Sequence, residues 1–343
     1  MRNACTFLTR RCLRSCNYCD ASKVKKEDEL DVLDWIQVND ILRKLNIDFN
    51  LILGNECWLL ENHLNKIMTF NKVPYAIYTT CEPTLFYKCR DAFFGEKGKL
   101  DNLSCGIDYS QAYLEKKCDT DDEKKSADGW RGLYYTRRNY PHVDCQGTVT
   151  VSKRNFKLLP EIVNTLSSIG VFVGINVIHH NKDGKFDFFP EKDFLKEYLF
   201  TKREVEPLKK IFKEVQQMEG ALVQNIEMVK PELVEHMIAT DWHCRGNPYG
   251  GPTIDSDGSL RCCGYRKGER ASRFSIFDMP NSFDHYMQAV EKDARECPGC
   301  FWSYPWMYKY WEKRPEFGKA VFINHAKFDS NMKEFVRIER MLQ

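Results

Sequence analysis

Cys12-Leu13-Arg14-Ser15-Cys16-Asn17-Tyr18-Cys19 is a C-x3-C-x2-C run. Three thiolates on one short loop can hold three irons of a 4Fe–4S cluster and leave the fourth iron open to a substrate or cofactor. A zinc or plain iron site is the alternative for the same thiols. Fifteen cysteines without a secretory signal point to a reducing compartment, a cytoplasmic location, and metal ligation rather than disulfides. Cys57, Cys81, Cys89, Cys105, Cys118 and Cys145 stand singly in strand-like or helix-like context and read as free thiols. The clustered cysteines do not.

Around this loop the chain has 343 residues, room for one large domain and a small one. A net charge of +2 leaves out a strongly basic nucleic-acid footprint. No apolar run approaches the roughly 18 residues of a membrane span. Charged and apolar segments alternate in a βα rhythm. Helices are expected over Asp31–Leu45, Trp58–Thr69, Thr84–Phe94 and Phe156–Ser168, the last capped by Gly170. Strands are expected over Asn50–Leu53, Pro74–Thr80, Leu103–Ile107, Gly147–Ser152 and Val171–Ile178. The Lys-, Asp- and Glu-rich stretch Glu115–Asp128 reads as an exposed loop or irregular helix rather than a binding element. Helical segments follow over Lys192–Met218 and Pro231–Ile238. Of the adjacent His179 and His180, at most one can face a site from a strand.

The cysteine spacing, with the aromatic Tyr18 before the last cysteine, resembles the signature of radical S-adenosylmethionine (SAM) enzymes. Cys5-Thr6-Phe7-Leu8-Thr9 resembles the first strand of their barrel. The resemblance implies an α/β fold, a partial (β/α)6 TIM-type barrel over residues 1–238. It implies that the open iron chelates the amino and carboxylate groups of SAM. One electron then releases methionine and a 5′-deoxyadenosyl radical, which abstracts hydrogen from a substrate carbon. Gly54-Asn55-Glu56-Cys57 resembles the family's Gly-Gly-Glu-Pro segment, which grips the SAM amino group, and departs from it at Asn55 and Cys57. Gly106-Ile107-Asp108-Tyr109 resembles a Ser-Ile-Asp-Gly segment, with Gly106 in place of the serine, and implies that Asp108 contacts the ribose or the substrate. Arg131, in Gly129-Trp130-Arg131-Gly132, falls where relatives carry an arginine for the SAM carboxylate. Ser152 and Asn155 are candidates near the adenosine.

Composition changes near Thr240 to Gly, Cys, Pro and aromatics, a segment that needs a metal or cluster to organise it. Cys244, thirteen residues, Gly258, four residues and Cys263, closed by Cys297-Pro298-Gly299-Cys300, resemble the opening of SPASM and Twitch auxiliary-cluster domains. The resemblance implies a small Twitch-like iron–sulfur domain over residues 239–303, with a second 4Fe–4S cluster on Cys244, Cys263, Cys297 and Cys300. Cys262 rivals Cys263, and the thiolates alone do not decide between iron and zinc. Residues 304–343 form an extension with Trp306, Tyr308, Tyr310, Trp311 and a terminal helix over Asn331–Leu342. The implied substrate is a peptide or protein side chain. A small sugar or nucleotide is the alternative, and the chain has no room for a peptide-recognition domain before Cys5. A nucleic-acid base, met by Arg137, Arg138, Lys153 and Arg154, is less favoured. A non-enzymatic iron–sulfur or zinc protein is the remaining reading. A reducing partner such as flavodoxin or ferredoxin is expected, and no membrane.

Overall fold

A computed structural model describes the chain apart from residues 1, 22–28, 54, 95–99, 181, 185–189, 191, 240, 245–249, 265, 267–269 and 301–343. Gly54 and the expected C-terminal extension therefore lie outside the described residues. Six parallel strands come first: β1 (Asn3–Phe7), β2 (Phe49–Leu53), β3 (Tyr75–Thr79), β4 (Leu100–Gly106), β5 (Asp144–Val151) and β6 (Phe172–Val177). They lie side by side in chain order, so every crossover steps the same way around and the sheet curls as an open, partial barrel. Their near-continuous apolar runs follow from burial on both faces, as in Phe49-Asn50-Leu51-Ile52-Leu53, where every residue is buried.

The crossovers are α1 (Val32–Lys44), α2 (Glu61–Thr69), α3 (Pro83–Phe94), the short α4 (Gln111–Leu114) with α5 (Asp121–Asn139), and α6 (Leu159–Ser168). Asp31 caps α1 through the amides of Leu33 and Asp34. Trp58 fills the space between β2 and α3, edge-on to Phe93 at 4.6 Å between ring centroids, and its indole N–H donates to the Thr79 hydroxyl. The expected long helix over Lys192–Met218 is shorter: α7 (Val205–Gln217) follows turns and the Thr201–Glu204 capping box. It is followed by α8 (Val234–Ala239). Beyond β6 the sheet edge is covered by residues 222–224, with Val173 N–H donating to Leu222 O at 2.8 Å and Gln224 N–H donating to Val173 O at 2.9 Å.

Two findings change the expected layout. Residues 253–261 extend the barrel's own sheet: β7 (Thr253–Ile254) pairs parallel with β1, and β8 (Leu260–Arg261) pairs antiparallel with β7. The helix α9 (Phe283–Arg295) packs beside them, the Tyr286 hydroxyl donating to Arg261 O at 2.8 Å. The polar stretch Glu115–Asp128 is an exposed loop only in its first half, residues 115–119. Its second half is the start of the 19-residue α5, fixed by a capping box between Thr120 and Glu123. Asp122, Ser126 and Asp128 are buried there, because Asp122 and Asp128 face the cysteine loop and the Ser126 hydroxyl accepts from Asp108 N–H instead of water. Among the described residues, no helix is long and apolar enough to cross a membrane.

Candidate functional site

The loop after β1 carries Cys12, Cys16 and Cys19 across the C-terminal ends of the strands, the face where barrels place their chemistry. It is held from both sides. On the β2 side, Asn55 donates its side-chain amide to Arg10 O, and Glu56 N–H donates to Arg11 O at 3.0 Å. Glu29 receives the Thr9 hydroxyl at 2.6 Å and the Arg11 guanidinium at 3.0 and 3.1 Å. On the other side the first turns of α5 take over. Asp121 accepts from Ser15 N–H at 2.7 Å, Asp122 accepts from Asn17 N–H at 2.9 Å, and Asp128 pairs with Arg14. Within the loop, Cys19 N–H donates to Cys16 O at 3.0 Å and Arg14 N–H to the Cys12 sulfur at 3.5 Å.

The three cysteines are free thiols lying close enough to act on one another electrostatically. Burial pushes Cys12 up to about 11 and raises Cys16 and Cys19 as well, while the Lys125 ammonium pulls all three down. Dry thiols of this kind ionise when a metal takes them. A loop presenting three such thiols beside a fixed cation therefore fits the cluster that its spacing implies. Among the described residues no group of three or more His, Cys, Asp or Glu is gathered as around one metal ion. The ligands of a cubane each take a separate iron, so they stand apart rather than about a single point.

Glu56 is fully buried next to this loop. Its carboxylate accepts from the Thr79 hydroxyl at 2.8 Å, Thr80 N–H at 2.9 Å, Trp58 N–H at 3.4 Å and the Thr80 hydroxyl. Burial outweighs these donors and pushes it up to about 7. Its charge acts directly on Cys12.

Asp108, beyond β4, is the hub of the opposite side. It accepts from the Lys125 ammonium at 2.6 Å, from Thr150 N–H at 2.8 Å and from the Tyr18 hydroxyl. Lys125 also donates to that hydroxyl and lies 4.9 Å from the centre of the Tyr18 ring. Burial opposes the charge on Lys125, but Asp108 wins and raises its pKa. Burial and Asp108 together hold the Tyr18 phenol protonated. A Cβ on Gly106 would stand 2.9 Å from the end of the Lys125 side chain, which would have to shift.

Ser152 and Asn155 form a turn after β5. Ser152 N–H donates to Asn155 Oδ1 at 2.7 Å, and Asn155 Nδ2 donates to Asp108 O at 2.9 Å. Arg131 is exposed on α5 and paired at 3.4 Å with Asp128, the residue that also holds Arg14 of the cysteine loop. A cation that acts on all three thiols is Lys125, which sequence reasoning missed together with Asp121, Asp122 and Asp128. The Thr120-x-x-Glu123 capping signature was the available signal. His179 is buried, with its Nδ1 against Val177 O at 2.9 Å, and burial depresses it to about 4. Two residues of the suggested basic face are engaged: Arg137 is buried and donates to Pro141 O at 3.2 Å, and Arg154 donates to the Tyr198 hydroxyl at 2.7 Å.

Burial raises the Cys244 thiol well above its ordinary value, and Cys300, Cys263, Cys297 and, least of them, Cys262 act on it electrostatically. The knuckle meets Cys244's own segment through Cys300 N–H, which donates to Trp242 O at 3.0 Å. Gly299 permits this approach, with a φ of +87° and a Cβ position only 2.7 Å from Trp242 O. Cys262 is 3% exposed, with its thiol against Val290 O at 3.7 Å. Arg266 lies beside Cys263 and Cys297 and pairs with Asp183 at 2.8 Å. Lys182 donates to Pro298 O at 3.4 Å, so the knuckle rests on the chain leaving β6.

This parallel barrel in chain order, with the cysteine loop over its rim, is a fold shared with solved structures. Three structures of SuiB from Streptococcus suis resemble it, each at 12% identity: bound to S-adenosylmethionine (TM-score 0.52), alone (0.51), and bound to precursor peptide SuiA (0.52). The match covers 75% of this chain in each case and 59%, 59% and 58% of the SuiB chains, so this chain spans less than two thirds of their length. No family model and no curated protein sequence matches the chain.

Proposed function

We propose that this protein is a radical SAM enzyme: it cleaves S-adenosylmethionine reductively and abstracts hydrogen from a carbon of a peptide or protein side chain, leading to oxidation or crosslinking. The reading rests on one observation above the others, the three free thiols on a single loop clamped between β2 and α5 at the barrel rim. Cys12, Cys16 and Cys19 would hold the cluster, which with SAM supplies the electron transfer and the radical chemistry. Glu56, next to Cys12, would receive the SAM ammonium. Lys125, beside the same loop, would take the carboxylate in place of the exposed Arg131. Asp108 holds Lys125 and Tyr18 in position, and its backbone is tied to Asn155 and Ser152 on the next strand end.

Cys244, Cys263, Cys297 and Cys300 would hold a second, auxiliary 4Fe–4S cluster, which supplies an electron acceptor suited to a net oxidation. The turning of Cys262 into the core supports Cys263 as the ligand. SuiB has been solved with a precursor peptide, which supports a peptide as the substrate class here. A flavodoxin or ferredoxin in the cytoplasm is the fitting reductant. The test is anaerobic reconstitution, iron and sulfide counting, and assay of 5′-deoxyadenosine formed from SAM with dithionite. About eight irons per chain with deoxyadenosine formation is expected. Zinc in the second site with intact cleavage would remove the auxiliary cluster from the reading. No cleavage in fully loaded protein, with and without candidate peptides, would overturn it.

A further inference from the structure

Between the two cysteine groups lies a buried ion triad. Asp255, just past β7, accepts from the Arg10 Nε at 2.5 Å and is also paired with the Arg261 guanidinium. The side chains of Arg10, Asp255 and Arg261 are 7%, 8% and 8% exposed. Arg10 is two residues before Cys12, and Arg261 is two residues before Cys263. Arg10 also reaches the carbonyl of Gly264, the residue after Cys263, at 3.4 Å, and its guanidinium lies 3.5 Å from the centre of the Phe7 ring at the end of β1.

Asp255 is rigidly presented. Its carboxylate accepts from Ser256 N–H at 2.8 Å, its N–H donates to Ser259 O at 2.8 Å, and its carbonyl accepts from Gly258 N–H at 3.0 Å. Gly258 turns there with a φ of +82°. The same turn holds the chain beyond the first loop, Leu30 N–H donating to Ser256 O at 2.8 Å.

Burying three charges is a poor route to stability, since well-packed apolar residues of the same volume do at least as well. The best-attested use of such a group is to fix register. We propose that Asp255 is a positioning residue shared by the two cysteine groups: through Arg10 and Arg261 it sets the Cys12–Cys19 loop and the Cys263 segment relative to each other. The inference rests on reading those groups as two metal centres.

The test uses reconstituted full-chain protein challenged with a chelator in the presence of iodoacetamide, with alkylation rates resolved by peptide mass mapping. Arg261→Gln alters a side chain on β8, separated from β1 by β7. If Asp255 links the groups, R261Q speeds alkylation of the remote Cys12, Cys16 and Cys19 as well as Cys263, by about tenfold, as contacting groups in one network do. Asp255→Asn does the same at both groups with its shape retained. Acceleration confined to Cys263 in R261Q, or absent at both groups, overturns the proposal. So does loss of the circular dichroism of the fold in both variants, since the triad would then hold the barrel together rather than set register. The comparison of variant with wild type, each loaded in the same way, can be made whichever metal the thiols hold. A wild-type sample with one cluster, or without SAM cleavage, therefore fails the functional reading separately from this link.

Discussion

Cys12, Cys16 and Cys19 lie within eight residues, whereas Cys244, Cys263, Cys297 and Cys300 are drawn from a span of 57 residues (244–300). The first loop is shaped by the barrel: carboxylates of α5 take its amides, and backbone at the end of β2 takes its other flank. The second group hangs on two-residue strands, a glycine-permitted contact at Trp242 and a knuckle resting on the chain after β6. A site whose ligands are local can be prebuilt by the fold around it. A site whose ligands are distant is completed by whatever they hold in common, because closing those long loops costs entropy that short strands do not offset.

Metal removal gives the sharpest contrast. A structural thiolate site contributes on the order of 10 kcal/mol to the order of its own segment. A chelated chain is expected to keep the circular dichroism of the barrel while limited proteolysis cuts first between residues 240 and 270. First cuts between residues 10 and 20 would reverse the comparison.

Glu56 gives the next largest effect. Its carboxyl is raised from 4.5 to about 7. A raised carboxyl contributes stability that is fully present below the unfolded value and lost as pH rises through the folded one. In metal-free protein that loss amounts to roughly 3 kcal/mol between about pH 4.5 and 8. Glu56→Gln should remove this slope, read by denaturant unfolding across the pH range. A parallel pair of curves for the two proteins would show that Glu56 titrates normally.

Asp122→Ala leaves Asn17 N–H and the Tyr198 hydroxyl without the acceptor they now reach at 2.9 and 2.7 Å. The expected cost is about 2 kcal/mol in unfolding free energy, with weaker SAM binding by the reconstituted protein. Unchanged SAM affinity would separate the α5 clamp from function. Smallest of all is Arg131→Ala. The side chain is 44% exposed, so stability should move by less than about 0.5 kcal/mol and SAM affinity should hold. A large loss of affinity would favour Arg131 over Lys125 as the carboxylate partner.

Much of the barrel could be read along the chain, because its strands are short apolar runs ending in polar turns, as Asn50–Leu53 and Pro74–Thr80 do. The cysteine loop was legible because its three cysteines are local. The N-terminal half of α5 was not. Asp121, Asp122, Lys125 and Asp128 have the composition of a solvated stretch, and only the folded loop beside them shows that their partners are Ser15, Asn17, Tyr18 and Arg14. The pairing of β7 with β1 is two residues long and joins positions about 250 residues apart, too little pattern at too great a distance to be read. Cys262 and Cys263 follow the end of β8, and the seating of the Cys262 thiol against Val290 O on α9 shows only in the fold.

The central claim is that Cys12, Cys16 and Cys19 hold a cluster with one iron open to SAM. Its most direct test is the electron paramagnetic resonance spectrum of the dithionite-reduced, reconstituted protein with and without SAM, in the natural chain and in Cys16→Ala. The account predicts a reduced-cluster signal whose g-values shift on SAM addition, and loss of that SAM-sensitive signal in Cys16→Ala. Absence of any SAM-sensitive signal in the natural chain, or survival of the SAM-sensitive signal in Cys16→Ala, would contradict it.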